Sequence, residues 1–505
     1  MRKSFFLFLV SLLVVWTGFA QNSISYTLSF PRIKENLYHA SMEISGLKSD
    51  SLLLKMPNWM PGYYQFMHYA NNLRDIKASS SKQHIGIVQT DSSTWRVATK
   101  GFNKITVEYD VLAQKKFVAN SFADETHAYL VPGNSFMYIP SKLSLRPAVK
   151  IVKPSSWLVA TGLHSNGNDL YTADDFDILY DCPILMGPLE EIPSFKVGNK
   201  LHRFAGYQLG DFDKQKFSND LQKIVTAAAA IIGDIPYDQY IFIAIGPGGG
   251  GIEHLNNATV SFSGAALNNE AGKYRMYSFL AHEYFHHYNV KRIRPVELGP
   301  FDYENGKRTT QLWISEGLTV YYEYLIVKRA GLTDEAGLLR YFEKNLNTYE
   351  NDPGRKFQSL IESSYQTWEE GPFGENPGQD SVISYYEKGP LVGLLLDFEI
   401  RHATQNKHSL DDVMRTLYYH YYKKLQRGFT DAEFRYACEE IAGRSLEDFF
   451  RYIYNTKELD YKTYLGYAGL ALEEKEENGK RRFTIKRLDN LSPLQAEIYK
   501  SWMGK

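Results

Sequence analysis

His282-Glu283-Tyr284-Phe285-His286 lies within residues 274–290, YRMYSFLAHEYFHHYNV, a stretch without Gly or Pro that reads as one helix. Four residues advance a helix by about one turn, roughly 6 Å, so His282 and His286 project from one face and can reach one ion. Glu283 stands about 100° around the helix, near enough to address a water on that ion. Beyond His286, Trp313-Ile314-Ser315-Glu316-Gly317 opens the next long helical stretch, 311–329. Glu316 completes a His₂Glu set that leaves one position open to water, a catalytic zinc arrangement. Glu323 is the rival on the same face, but it sits about 10.5 Å further along the helix, and Glu316 is favoured. His287 points elsewhere on its helix. The pattern predicts one Zn²⁺ per chain held by His282, His286 and Glu316, with Glu283 as general base of a hydrolase.

On the amino-terminal side the texture is β. Ile24, Tyr26, Leu28 and Phe30 alternate with polar residues, as do Tyr38, Ala40, Met42 and Ile44, and Ile105, Val107, Tyr109 and Val111. A period of two puts one face in a core and the other in water. Residues 21–180 therefore read as an antiparallel, sandwich-like β-domain, punctuated by turns such as Pro61-Gly62. The texture changes near Pro188. A hairpin over 194–207 and a helix over 213–232 lead to a short apolar strand, 240–245, and then to a glycine run, 248–251. Helices dominate afterwards, including 385–402 and one opened by a capping box at Thr430 and Glu433. The expected organisation is α+β: a leader (1–20), the β-domain (21–180), a mainly helical domain (181–460) and a short closing segment (461–505) with strand-like alternation over 482–488.

Composition is globular, with 44% hydrophobic and 23% charged residues and a net charge of −1. This balance offers neither a basic footprint for nucleic acid nor a polybasic membrane patch. Residues 1–20 read as a cleavable signal peptide: Arg2 and Lys3, an apolar run too short to span a bilayer, then Gly18-Phe19-Ala20. The expected product is exported, periplasmic or secreted, with no membrane span after cleavage. The two cysteines, Cys182 and Cys438, have no metal-type spacing and read as packing residues. Lys291, Arg292 and Arg294 read as a solvated or salt-bridged helix end. In the glycine run, backbone without Cβ atoms can approach a ligand closely, and a strand edge there can pair with a peptide. No Gly-Lys-Ser/Thr follows, so it is not a phosphate loop.

Taken together, HEYFHHYNVKRIRP (282–295), LWISEGLTVYY (312–322), GGGGIEH (248–254), SYYEKGPLVGLLLDFEIR (384–401) and MPNWMPGYY (56–64) resemble the glycyl aminopeptidase family of gluzincin metallopeptidases. The resemblance spans nearly the whole chain after the leader. It implies a thermolysin-like zinc peptidase domain behind a β-rich domain, acting on peptides with a free amino terminus and favouring Gly or Ala there. His282, His286 and Glu316 match the family's zinc ligands, and Glu283 its general base. Similarity to the wider gluzincin aminopeptidases implies that Gly250, Gly251, Glu253 and His254 contact the substrate, with Glu253 at its amine. His254 stands where those enzymes usually carry Asn. The same similarity implies that Tyr386 stabilises the tetrahedral intermediate. Many relatives carry a PDZ domain near the carboxyl end. Here FTIKRLDNLSPLQAEIYKSWMG (483–504) is similar to the family's closing segment, which implies that the PDZ insert is missing. The competing expectations are an endopeptidase on the same scaffold and a catalytically silent binding protein. The second would normally have lost a ligand or the base.

Overall fold

The computed structural model describes residues 23–46, 48–81, 83–371, 380–477 and 479–504. The signal-peptide reading of residues 1–20 falls outside them. No helix among the described residues is long and apolar enough to cross a membrane.

The period-two segments form the centre of an eight-stranded sheet. Ser23–Ser29, Leu37–Ser45 and Lys104–Leu112 pair antiparallel, with Tyr26 opposite Met42 and Met42 opposite Val107. Ile24, Tyr26, Leu28, Tyr38, Ala40, Met42, Ile44, Ile105, Val107, Tyr109 and Val111 are all buried, as the alternation requires. One pairing departs from the antiparallel expectation: Ser23–Ser29 also runs parallel to Pro147–Val152, from Ile24 opposite Pro147 to Ser29 opposite Val152. A parallel partner cannot be reached through a hairpin, and the intervening chain supplies the long crossover. Three- and four-stranded sheets complete the domain around one apolar core. The last strand of the four-stranded sheet, Ile184–Gly187, follows the short helix α1 (Phe176–Tyr180). Cys182 packs in this core and Cys438 in the helical one, both unpaired.

A second sheet then begins. Strand Lys200–Gly206 is joined by helix α2 (Lys214–Ile232) to a parallel strand, Gln239–Ala244. Asp213 caps α2 by accepting the Lys216 N–H. Asn257–Val260 adds in parallel, and Gly251–Glu253 pairs antiparallel with it as the edge strand, Glu253 opposite Ala258. Helix α3 (Glu270–Phe285) packs on this sheet, and α4 (Leu318–Arg329), α5 (Glu335–Glu350), α6 (Leu360–Glu370) and α7 (Tyr385–Ala403) build outward from α3 and pack on one another. The capping box at Thr430 and Glu433 is formed, with Glu433 accepting from the Thr430 N–H. The closing segment is a hairpin, Leu470–Glu477 with Lys480–Arg487, followed by a helix whose Trp502 is fully buried against Phe342 and Phe398.

Candidate metal centre and active-site cleft

The α-helical part of the predicted 274–290 helix ends at Phe285, although helical turns continue through Val290. His286 closes the helix, and its Nδ1 turns back to the Asn289 carbonyl at 2.8 Å. On the preceding turn, His282 Nδ1 lies 2.8 Å from Glu323 Oε2. Each imidazole thus gives its Nδ1 proton to an oxygen and presents the Nε2 lone pair inward, the arrangement that orients metal-binding histidines. The two Nε2 atoms stand 2.9 Å apart. Glu316 Oε2 lies 3.5 Å from His282 Nε2 and 3.2 Å from His286 Nε2. Ligands held at about 2.0–2.1 Å from a tetrahedral zinc would sit roughly 3.3 Å from one another. Donor types and spacing both fit zinc, and among the described residues this is the one His/Cys/Asp/Glu group that could hold a metal. Glu323, the rival third ligand, buttresses His282 instead.

The predicted helix over 311–329 begins irregularly. Trp313–Gly317 is a π-turn, and the regular helix α4 starts only at Leu318. Such widened turns recur at functional sites, and this one carries Glu316. At Gly317 the turn meets α7 at Gly389 so closely that a Cβ on either glycine would collide with the other's backbone. The crossing brings Tyr386 to Glu316, to which its hydroxyl donates. The adjacent Tyr385 is committed to Thr367 at 3.0 Å. Burial works against charge on the two histidines, yet Glu316 and Glu323 hold His282 well above its ordinary range. Burial likewise opposes ionisation of Glu316, but the two imidazoles pull it far below the carboxylate range.

Glu283 is 5% exposed, and its Oε2 has no hydrogen-bond partner. Burial pushes its carboxyl up to about 8, with His282 and His286 pulling the other way; a divalent cation at the cluster would add to that pull. The backbone of Gly251 lies directly against this carboxylate, so a methyl group there would overlap it. Gly251→Ala should therefore displace Glu283 or the edge strand. The expected result is about a 10²-fold loss of turnover, the scale of a 1 Å misplacement, with zinc content retained. Kinetics beside metal analysis checks this; turnover close to wild type would show that the contact does not matter.

Two residues along, Glu253 is 3% exposed, with Oε1 unpartnered. The turn at Gly62 (φ +94°), from the β-domain, packs on it with no room for a side chain. A small cavity of about 20 Å³ adjoins Glu253, lined among others by Trp59, Gly62, Tyr64, Val290, Lys291 and Arg294. The main cleft, about 820 Å³, runs past Gly250, Gly251, His282, Glu283, Glu323 and Tyr386.

His254 does not line either space. Alternation along the strand turns it the other way, where Nδ1 lies 3.1 Å from Asp181 Oδ1. Asp181 also accepts from the Leu255 N–H (2.6 Å) and pairs with Lys291 (2.6 Å). Of the two readings of this helix end, solvated or salt-bridged, Lys291 takes the salt-bridged one, whereas Arg292 is neither. Both side chains are buried, and Arg292 donates to the carbonyls of His287, Leu255 and Pro236. These contacts tie the edge strand to the end of the metal-binding helix, which is why buried charge is tolerated there. His287 is fully buried beside Arg292.

Sequence reasoning missed the β-domain's share of the site. Tyr64 lies between the two cavities, and burial together with Glu316 and Glu253 pushes its phenol well above the usual range. The available signal was Pro61-Gly62-Tyr63-Tyr64, a turn followed by aromatics in an otherwise alternating domain.

The fold and the His₂Glu centre together define a zinc metallopeptidase. Residues 25–188 match the peptidase M61 N-terminal domain and residues 275–392 the M61 glycyl aminopeptidase domain, and the chain belongs to that family. An aminopeptidase N family protein from Idiomarina loihiensis superposes with a TM-score of 0.85 at 26% identity, over 90% of this chain and 79% of that one. An M1 zinc metallopeptidase from Deinococcus radiodurans shares the fold at 13% identity and a TM-score of 0.52, over 86% and 93% of the two chains. A mutant of a Deinococcus M1 enzyme bound to a Tyr-Ser-Ala substrate gives 14% and 0.53, over 86% of this chain and 94% of that one. No curated protein matches the chain.

Proposed function

We propose that this peptidase is an aminopeptidase that removes a small amino-terminal residue, Gly or Ala, with Glu283 as general base. The observation that carries the reading is Glu253: a buried carboxylate with an unpartnered oxygen, on the edge strand whose Gly251 covers Glu283. An ammonium group satisfies such an oxygen through a charge-assisted hydrogen bond. Because Gly62 closes the far side of Glu253, a chain continuing beyond that amine has no path. The adjoining cavity of about 20 Å³ has room for little more than one water-sized group, which suits a hydrogen or a methyl side chain.

His282, His286 and Glu316 would hold the zinc ion, which when bound would supply a Lewis acid and make a water more acidic. Glu283, beside that centre, takes the proton of the attacking water and returns it to the leaving amine. The Tyr386 hydroxyl turns from Glu316 to the developing oxyanion, a donor of the kind that contributes a few kcal/mol. The Gly250 carbonyl accepts from the Ser261 N–H inside the sheet, so alternation leaves the next residue, Gly251, to offer backbone on the open side of the edge strand, where an extended substrate can pair.

The free amine should be required: a peptide beginning with Gly is cut, while its N-acetylated twin is almost inert. Glu253→Ala should reduce turnover of the free peptide far more than it disturbs zinc content, with the loss in kcat as well as KM because the anchor also places the scissile bond. Equal cleavage of the acetylated peptide would make the enzyme an endopeptidase.

A further inference from the structure

The cleft continues past the zinc-binding residues in the direction away from Glu253. Helix α3 gives the axis. Val290 and Lys291, beyond its carboxyl end, line the cavity at Glu253, whereas Ser278 and Arg275, one and two turns before His282, line the opposite end. Tyr341 and Lys344 on α5 line that same end.

Its chemistry is unspent. Arg275 and Lys344 are exposed, and among the described residues neither side chain has an ion pair or hydrogen bond. Glu323 and Glu387, two carboxylates that feel the charge of Lys344, are engaged elsewhere: Glu323 with His282 Nδ1 at 2.8 Å, and Glu387 with Asn345 Nδ2 at 2.7 Å. Ser278 is 3% exposed, and its hydroxyl makes no hydrogen bond, although a serine inside a helix can ordinarily bond the carbonyl four residues back. The Tyr341 hydroxyl approaches it and is likewise without a well-formed partner. Among the described residues these two hydroxyls have no partner beyond one another, and such a pair beside two unpaired cations forms a donor set for an anion.

We propose that Arg275, Lys344, Ser278 and Tyr341 form a subsite that binds the carboxyl-terminal carboxylate of short peptides on the leaving-group side of the cleavage. The direction rests on Glu253 being the amine anchor. Arg275 lies seven residues before His282, about 10.5 Å along the helix. A peptide advances about 3.5 Å per residue, so a carboxylate two or three residues past the scissile bond comes within reach of the guanidinium. The enzyme is thereby a finisher of tri- and tetrapeptides rather than a trimmer of long chains.

The test compares Gly-Ala-Ala, Gly-Ala-Ala-amide and Gly-Ala-Asp-amide on the zinc-loaded full chain, each with a free and an acetylated amino terminus. The free acid should be preferred over its amide about tenfold or more, the scale of one charge-assisted contact. The preference should lie mostly in KM and shrink as salt is raised. In an R275A/K344A double variant the acid and the amide should be cut at about equal rates. A wild-type enzyme indifferent to the amide, or a double variant that keeps the preference, overturns the subsite. A gain confined to Gly-Ala-Asp-amide overturns the terminal assignment in favour of an acidic side chain. The acid-to-amide ratio is read on whichever bond is cut, so cleavage of the acetylated peptides removes the amine anchor without deciding the subsite's ratio.

Discussion

Glu283→Gln should bind zinc near stoichiometrically, keep its fold and lose roughly 10²–10⁴-fold in turnover, the usual contribution of a general base. Glu283 is absent from the three atoms that converge on the metal position, so coordination survives the substitution. What disappears is the proton acceptor, worth about 3–5 kcal/mol of barrier at that range. The amide also replaces a buried carboxyl group with an unpartnered oxygen by a neutral group of similar shape, so thermal stability should hold or rise. Metal analysis, a melting curve and single-turnover kinetics check the three parts. Turnover within about tenfold of wild type would remove Glu283 from the proton-transfer role.

Glu316→Ala should behave in the opposite way and lose the metal itself. Only two imidazoles would remain, fewer protein ligands than a catalytic zinc site uses, and both would be left without the carboxylate that faces their Nε2 atoms. Glu323→Ala is the control on the same helical segment. Its carboxylate touches His282 at Nδ1, away from the metal, so the variant should still fill with zinc while its affinity falls roughly 10–100-fold, as for removal of a group that orients a ligand. Competition with a chelator separates the two. An empty Glu323→Ala beside a loaded Glu316→Ala would exchange the roles of the two glutamates.

How much of this was legible in the residues differs from place to place. The period-two strands could be read because each has one wet face, and their buried sets agree with the alternation. The metal-binding groups could be read because His282 and His286 sit one turn apart on one helix, where spacing alone decides geometry. The π-turn at Trp313–Gly317 could not, since it answers to a close crossing with Gly389 some seventy residues later in the chain. The parallel pairing of Ser23–Ser29 with Pro147–Val152 is likewise a long-range choice that leaves no local mark. Arg292 misled for a related reason: a cation after a helix ordinarily faces water, and only the fold reveals the three carbonyls that receive it. Asp181 gives no sign in the sequence that it will meet His254, Leu255 and Lys291.

The turn at Pro61-Gly62 belongs to the β-domain, whose core also takes in Ile241, Ile243 and Ile252 of the second sheet, and it contributes none of the metal-binding groups. It nevertheless sits on Glu253, the carboxylate lining the small cavity beside the cleft. The stop against which a substrate would be measured is thus built apart from the blade. A lineage could lengthen or shorten that turn, and so change how much of a peptide is admitted past the cutting point, without altering any residue of the metal centre. Conversely, a variant that withdraws this turn from Glu253 would open the side that Gly62 now covers. Its cleavage products would then report the loss of the gauge before they reported any loss of cutting.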